Sequence, residues 1–291
     1  MKGLYAVLLV FSVIFVSGCT VPGLIPAGNV GSGGGVIITD FVSELNSVYS
    51  GESVQFELKL KNTGSFEADG TVDIDLGHQE WQCTSKSFGG QSFTDLIAPS
   101  EERGTEGEEF TVAWSCRAPE IDEGMRISYN ARAEIEYAYK SLISKSVTLL
   151  PTNELIALRD SGQTLPSELI SRSNSPVSID IQIEGPIRIR DDVRAVEFPV
   201  NIIIENTGGG IVKDSKVNLF VEGMGGLTKR DCDHNDLALW KGQSQTITCR
   251  MSANNVDALT QSRIVGQIDY VYITSATATV EVEGTDRFGS F

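Results

Sequence analysis

The feature that most constrains this chain is that it repeats itself. Phe56 to Gly64 reads FELKLKNTG, and Phe198 to Gly208 reads FPVNIIIENTG. Each is a strand-like run ending at Asn-Thr-Gly, where Asn and Gly accept the left-handed backbone angles that turn a strand over. A second alternating run follows in both places, Thr71 to Leu76 and Lys216 to Val221. Further on, Cys116-Arg117 and Cys249-Arg250 occur, and each cysteine stands 21 positions before a tyrosine, Tyr137 or Tyr270. Both tyrosines open a Tyr-x-Tyr motif, within Glu134 to Tyr139 and Gln267 to Tyr272. Each also lies 10 positions before a valine, Val147 or Val280. A duplicated unit accounts for all of these matches.

Residues two apart in a strand share a face. Ile135, Tyr137 and Tyr139 therefore point one way while Glu134 and Glu136 point the other, and Ile268, Tyr270 and Tyr272 repeat the arrangement. The charges opposite argue that the tyrosines face a core, their hydroxyls reaching polar partners at its rim, rather than forming a stripe for sugars or partners. Strand-like runs recur near 36–44, 53–61, 70–76, 108–116, 126–139 and 142–150, then near 177–184, 195–205, 212–222, 243–251, 263–273 and 276–283. Six or more strands in each copy imply an all-β chain with two tandem antiparallel β-sandwiches. The expected divisions are copy 1 at 36–150, a linker at 151–176, copy 2 at 177–284 and a tail at 285–291. Within the linker, 153–159 and 165–172 read as short helices. With 291 residues, 41% of them hydrophobic, each copy can bury a core of its own.

A strand, Asn-Thr-Gly, a short polar stretch and a second alternating strand together resemble the CARDB-type, immunoglobulin-like modules of prokaryotic surface proteins. The pattern is also similar to repeats in archaeal S-layer-associated proteins. Asn206-Thr207-Gly208-Gly209-Gly210 is the nearest match. The resemblance implies immunoglobulin-like sandwiches that act as spacers, adhesion units or assembly parts and bring no catalytic residues. The cysteines depart from the usual cysteine-free module.

Residues 1–18 read MKGLYAVLLVFSVIFVSG. Lys2 supplies a positive start, and the apolar run from Leu4 to Val16 is shorter than the roughly 20 residues needed to span a bilayer. It fits a signal peptide. Val16-Ser17-Gly18-Cys19 then resembles the lipobox of bacterial-type lipoproteins, with counterparts in archaea. That resemblance implies cleavage before Cys19 and a lipid on its thiol, with two acyl chains for stable attachment. The competing reading is an uncleaved anchor helix with an incidental Cys19. Residues 19–35, rich in Gly and Pro, read as a tether that lifts the body off the membrane.

If Cys19 carries lipid, Cys83, Cys116, Cys232 and Cys249 remain, two per copy. An oxidising extracytoplasmic space favours the local pairs Cys83–Cys116 and Cys232–Cys249. Free thiols and a four-cysteine metal site are the alternatives, although no C-x-x-C pair occurs.

The net charge of −16 repels nucleic acid and anionic headgroups. Two histidines, His78 and His234, and the lack of nucleophile-elbow, P-loop and zincin motifs point away from an enzyme. No cofactor is expected. Asp231, Asp233 and Asn235 alternate as oxygen donors of the kind calcium uses, but the glycine and final glutamate of an EF-hand loop are missing, so a solvated acidic loop is the simpler reading. Glu101 to Glu109 likewise reads as an exposed charged loop. The expected protein is lipid-anchored at the cell membrane, facing the extracytoplasmic side, with a structural, adhesive or protein-interaction role toward other envelope proteins or glycans. Two alternatives stand beside it. One is a glycan- or ligand-binding module displaying Trp81, Trp114 or Trp240; the other is an accessory subunit of a cell-envelope assembly.

Overall fold

The computed structural model describes residues 33–77, 80–83, 91–190, 195–254 and 256–285. The leader, Cys19, His78 and the end of the tail lie outside the described residues. The chain is all-β with antiparallel sheets. Its first half contains β1 (Val36–Ser43), β2 (Ser47–Tyr49), β3 (Ser53–Asn62), β4 (Ala68–Asp75), β5 (Gln82–Cys83), β6 (Gln91–Leu96), β7 (Glu109–Arg117) and β8 (Arg126–Pro151). After helix α1 (Thr152–Asp160), the second half contains β9 (Ile170–Arg172), β10 (Val177–Gln182), β11 (Ile187–Ile189), β12 (Ala195–Asn206), β13 (Ile211–Val212), β14 (Lys216–Met224), β15 (Leu227–Arg230), β16 (His234–Ala238), β17 (Ser244–Asn254) and β18 (Thr260–Glu283).

Two outer sheets follow the same plan. One runs β1-β3-β7-β5 and the other β10-β12-β17-β15. Between them lies one continuous sheet in the order β16-β14-β18-β8-β4-β6. Alternation dictates which side chains face inward. In β3, Val54, Phe56, Leu58 and Leu60 are buried while the residues between them are not. In β7, Val112, Trp114 and Cys116 do the same from the facing strand.

The two halves are joined by their longest strands. The sequence pattern suggests a break near Lys140-Ser141 and another near Thr274-Ser275. Instead β8 runs 26 residues and β18 runs 24, and they pair antiparallel from Arg126↔Glu283 to Leu149↔Thr260. The inward parity never changes: Tyr139, Ser141 and Ile143 are all buried on one face. Ser141 is a buried crossing point rather than a turn, its hydroxyl donating to the Val177 carbonyl at 2.6 Å.

This length exchanges strand halves between the sandwiches. The first part of β8 pairs with β4 of its own half, whereas its last part packs against β10 and takes β11 as a parallel partner. Likewise β18 begins against β14 and ends against β1, with β2 parallel to its last three residues. One hydrophobic core results, running through both halves.

The linker differs from expectation at one place. α1 forms where 153–159 reads as helix, but the expected helix at 165–172 does not. Ile170–Arg172 is strand β9, because the open edge of β8 offers backbone partners that an isolated, exposed helical turn lacks. Among the described residues, no helix is long and apolar enough to cross a membrane.

Candidate functional site

The Tyr-x-Tyr motifs meet at the centre of the joined sheet. Tyr139 lies opposite Tyr270, Ala138 opposite Val271, and Tyr137 opposite Tyr272. Each tyrosine thus faces the repeat equivalent of its own neighbour, and an approximate twofold axis passes between Ala138 and Val271. The four rings pack edge-to-face, at centroid distances from 5.6 to 6.5 Å. Their hydroxyls are satisfied inside the protein. Tyr137 donates to the Val36 carbonyl at 3.3 Å, and Tyr139 accepts from the Phe66 amide at 3.1 Å. Tyr272 donates to Asn206 Oδ1 at 2.9 Å and accepts from the Gly210 amide at 3.0 Å. Tyr270 shares a hydrogen bond of 3.0 Å with Ser141. Burial pushes Tyr137 well above the ordinary tyrosine range. It pushes Tyr139 and Tyr272 up to about 12, and Tyr270 upward as well. The motif is core, not an exposed platform.

The Asn-Thr-Gly motifs bracket this cluster. Asn62 is fully buried, its amide donating to the Phe66 and Leu96 carbonyls at 2.8 Å each while Oδ1 accepts from the Gly64 amide at 3.0 Å. Asn206 donates to Gly210 in the same way, at 3.1 Å. Thr63 and Thr207 place both amide and hydroxyl on the carbonyl of the residue that precedes β1 or β10, Gly35 or Pro176. The glycines do not serve the role expected for them. Neither Gly64 nor Gly208 takes a left-handed angle. A side chain at Gly64 would collide with the Tyr139 hydroxyl, and one at Gly208 with the Tyr272 hydroxyl. These glycines are needed for close approach rather than for turning.

Two disulfides join Cys83 to Cys116 and Cys232 to Cys249. Cys83 lies directly opposite Cys116 across the β5–β7 ladder. In the acidic loop, Asp233 is already engaged: Oδ1 accepts from the Val221 amide at 2.9 Å and Oδ2 pairs with Lys229. Burial pushes its carboxyl up, but Lys229 and the Val221 amide outweigh this and hold it below its ordinary value. Asp231 and Asn235 are exposed. Among the described residues, no group of three His, Cys, Asp or Glu gathers to hold a metal ion. Trp81 and Trp114 are buried, while Trp240 is 59% exposed.

A groove of about 640 Å³ lies between β1 and the last part of β18. Both walls are strand edges. Among the described residues β1 pairs only with β3, and β18 has a partner on that side at Tyr272 and Ile273 through β13 and again from Glu281 through β2. Between them, residues 274–280 have no ladder partner on this edge among the described residues. The inward positions here are small, Ala276 and Ala278, and the one carboxylate among the lining residues is Asp40. The sequence reading missed this groove. Its signal was there in the repeat, since Ala276 and Ala278 stand where the other copy has Ile143 and Lys145.

No protein-family model matches this chain, and no curated protein is similar to it.

Proposed function

We propose that this chain is an exported surface protein, held on the outside of a cell membrane by lipid on Cys19, whose joined sandwiches serve an interaction or scaffolding role rather than a catalytic one. The observation that carries the interaction reading is the groove between β1 and β18, which offers backbone edges and small side chains with a single carboxylate. Such a lining suits recognition of a polypeptide better than bond-making chemistry. The motifs that looked functional in sequence are otherwise engaged: the tyrosines in the core, the Asn-Thr-Gly brackets around it and the cysteines in disulfides. The anchor rests on Val16-Ser17-Gly18-Cys19 and the apolar leader before it. CARDB-type, immunoglobulin-like modules in other surface proteins act as spacers and assembly parts, and an accessory place in a cell-envelope assembly fits the same reading.

The test is the mass of the amino-terminal peptide from membrane-extracted protein, together with digestion of intact cells by added protease. A diacylated peptide starting at Cys19 and loss of the body on digestion are expected. An unmodified Cys19 within an intact leader overturns the anchor. A body protected in intact cells overturns the location.

A second reading, a glycan- or ligand-binding module, is favoured by Trp240, whose side chain is largely exposed beside the buried Leu239. Exposed indoles stack on sugar faces. Retention on envelope glycan that is lost in Trp240→Ala would support it.

A further inference from the structure

The two halves are related by the axis between Ala138 and Val271, yet they treat one strand edge differently. In the second sandwich, the edge of β8 from Leu142 to Ser146 is occupied. β9 pairs Arg172 with Ile143, Ser171 with Ser144 and Ile170 with Lys145. Its flanks continue the ladder, Ser173 N donating to Leu142 O at 2.9 Å and Ser146 N to Leu169 O at 2.8 Å. The repeat equivalent of that edge is Ser275 to Thr279 of β18, the floor of the open groove.

The charges make the same comparison. Arg172 of β9 pairs with Asp180 of β10. Asp180 lies opposite Ile203, and Asp40 lies opposite Lys59. Ile203 and Lys59 each stand three positions before the asparagine of their Asn-Thr-Gly, so Asp40 is the equivalent of Asp180. Asp40 lines the groove with no ion pair among the described residues, and Lys59 is turned to Glu57 at 2.8 Å. The size of the floor differs too. Where β8 presents Ile143 and Lys145, β18 presents Ala276 and Ala278, and the groove of about 640 Å³ lies over them.

The geometry points to a strand-acceptor site: the groove takes an extended segment of a partner protein, added antiparallel to Ser275–Thr279, with a basic residue directed at Asp40 and a bulky apolar residue two positions before it over Ala278. Charge complementarity selects the occupant. The chain carries −16 overall, so a basic segment is attracted to it. The segment before β1 is a poor alternative, because no Lys or Arg occurs between Lys2 and Lys59. Backbone pairing supplies affinity, and the pockets beneath alternate side chains supply selectivity. This deepens the interaction reading above and is independent of the lipid on Cys19, which the amino-terminal mass tests separately.

The experiment uses the full chain in detergent and fluorescent eight-residue peptides copied from its linker, Ser167 to Asn174. One peptide is unchanged, a second carries Ile170→Phe, and a third carries Ile170→Phe with Arg172→Glu. Anisotropy should show the Ile170→Phe peptide binding most tightly and the Arg172→Glu version at least several-fold more weakly. In the chain, Asp40→Lys should invert that preference, and Ala278→Leu should weaken the phenylalanine peptide at least about tenfold. Asp40 is exposed, so its variant keeps the fold. Deuterium uptake at 275–279 should fall when peptide binds. Absence of binding by every peptide below about 1 mM overturns the proposal, as does affinity indifferent to both Asp40→Lys and Ala278→Leu. Binding seen only after deletion of residues 20–32 would assign the groove to the chain's own segment. Concentration-dependent dimerisation abolished by Asp40→Lys would assign it to a second copy. Either result overturns the partner assignment.

Discussion

Tyr139 of β8 sits directly opposite Tyr270 of β18, with ring centroids 6.5 Å apart. Each comes from a different copy of the repeat, yet they share one core. The halves are therefore not two beads on a string. Each long strand starts in one sandwich and ends in the other, so neither half has a complete core without its partner's strand.

The first expectation is cooperative unfolding. In a Trp240→Phe background, urea unfolding followed by the fluorescence of the buried Trp81 and Trp114 reports the first half. Amide exchange in β12 and β17 reports the second. The two transitions should coincide, and Tyr272→Phe should shift both by about 1–3 kcal/mol, because it leaves the Gly210 amide without its acceptor. Two separated transitions would show that the strand exchange does not couple the halves.

The Asn-Thr-Gly brackets should be sensitive to small changes. Asn62→Ala leaves the Gly64 amide without its Oδ1 acceptor and takes a buried donor from each of the Phe66 and Leu96 carbonyls, at a cost of about 2–3 kcal/mol. Gly64→Ala should cost about 1–3 kcal/mol by pushing the Tyr139 ring out of its place. Chemical denaturation measures both. A Gly64→Ala protein as stable as the parent would contradict close approach as the reason for glycine.

The tyrosine cluster sets an alkaline limit. Burial raises all four hydroxyls, with Tyr139 and Tyr272 at about 12. An unfolded tyrosine ionises near 10. Above that pH the unfolded chain has released protons that the native state still holds, so stability falls as pH rises. The contribution is whole below about pH 10 and is lost through about pH 12. Absorbance of tyrosinate should show these four rings ionising only together with loss of structure. Gradual ionisation of all four in the native protein near pH 10 would refute their burial.

Replacement of the anchor residue should move the protein without unfolding it. Cys19→Ser is expected to shift the protein from the membrane fraction to the medium or to leave an unprocessed precursor, with the unfolding midpoint of the body unchanged. Full retention at the processed size in membranes would argue for another attachment.

The all-β class, the duplication, the inward tyrosines and the cysteine pairs were legible in the sequence, because strand periodicity and repeat spacing are local signals. The unbroken run of β8 was partly legible as well. Odd-numbered positions stay inward from Ile135 through Tyr137, Tyr139 and Ser141 to Ile143, a parity that a turn would have no reason to keep. Ser141 masked it, since a serine beside a lysine reads as a loop until Val177 and Tyr270 are known to meet it. The exchange of strand halves was decided by the tertiary structure alone, and so was the open edge at Ser275–Thr279, of which the sequence carries only the small residues Ala276 and Ala278. Which edge a strand offers, and what covers it, depends on residues more than a hundred positions away, and no local pattern of side chains encodes that pairing.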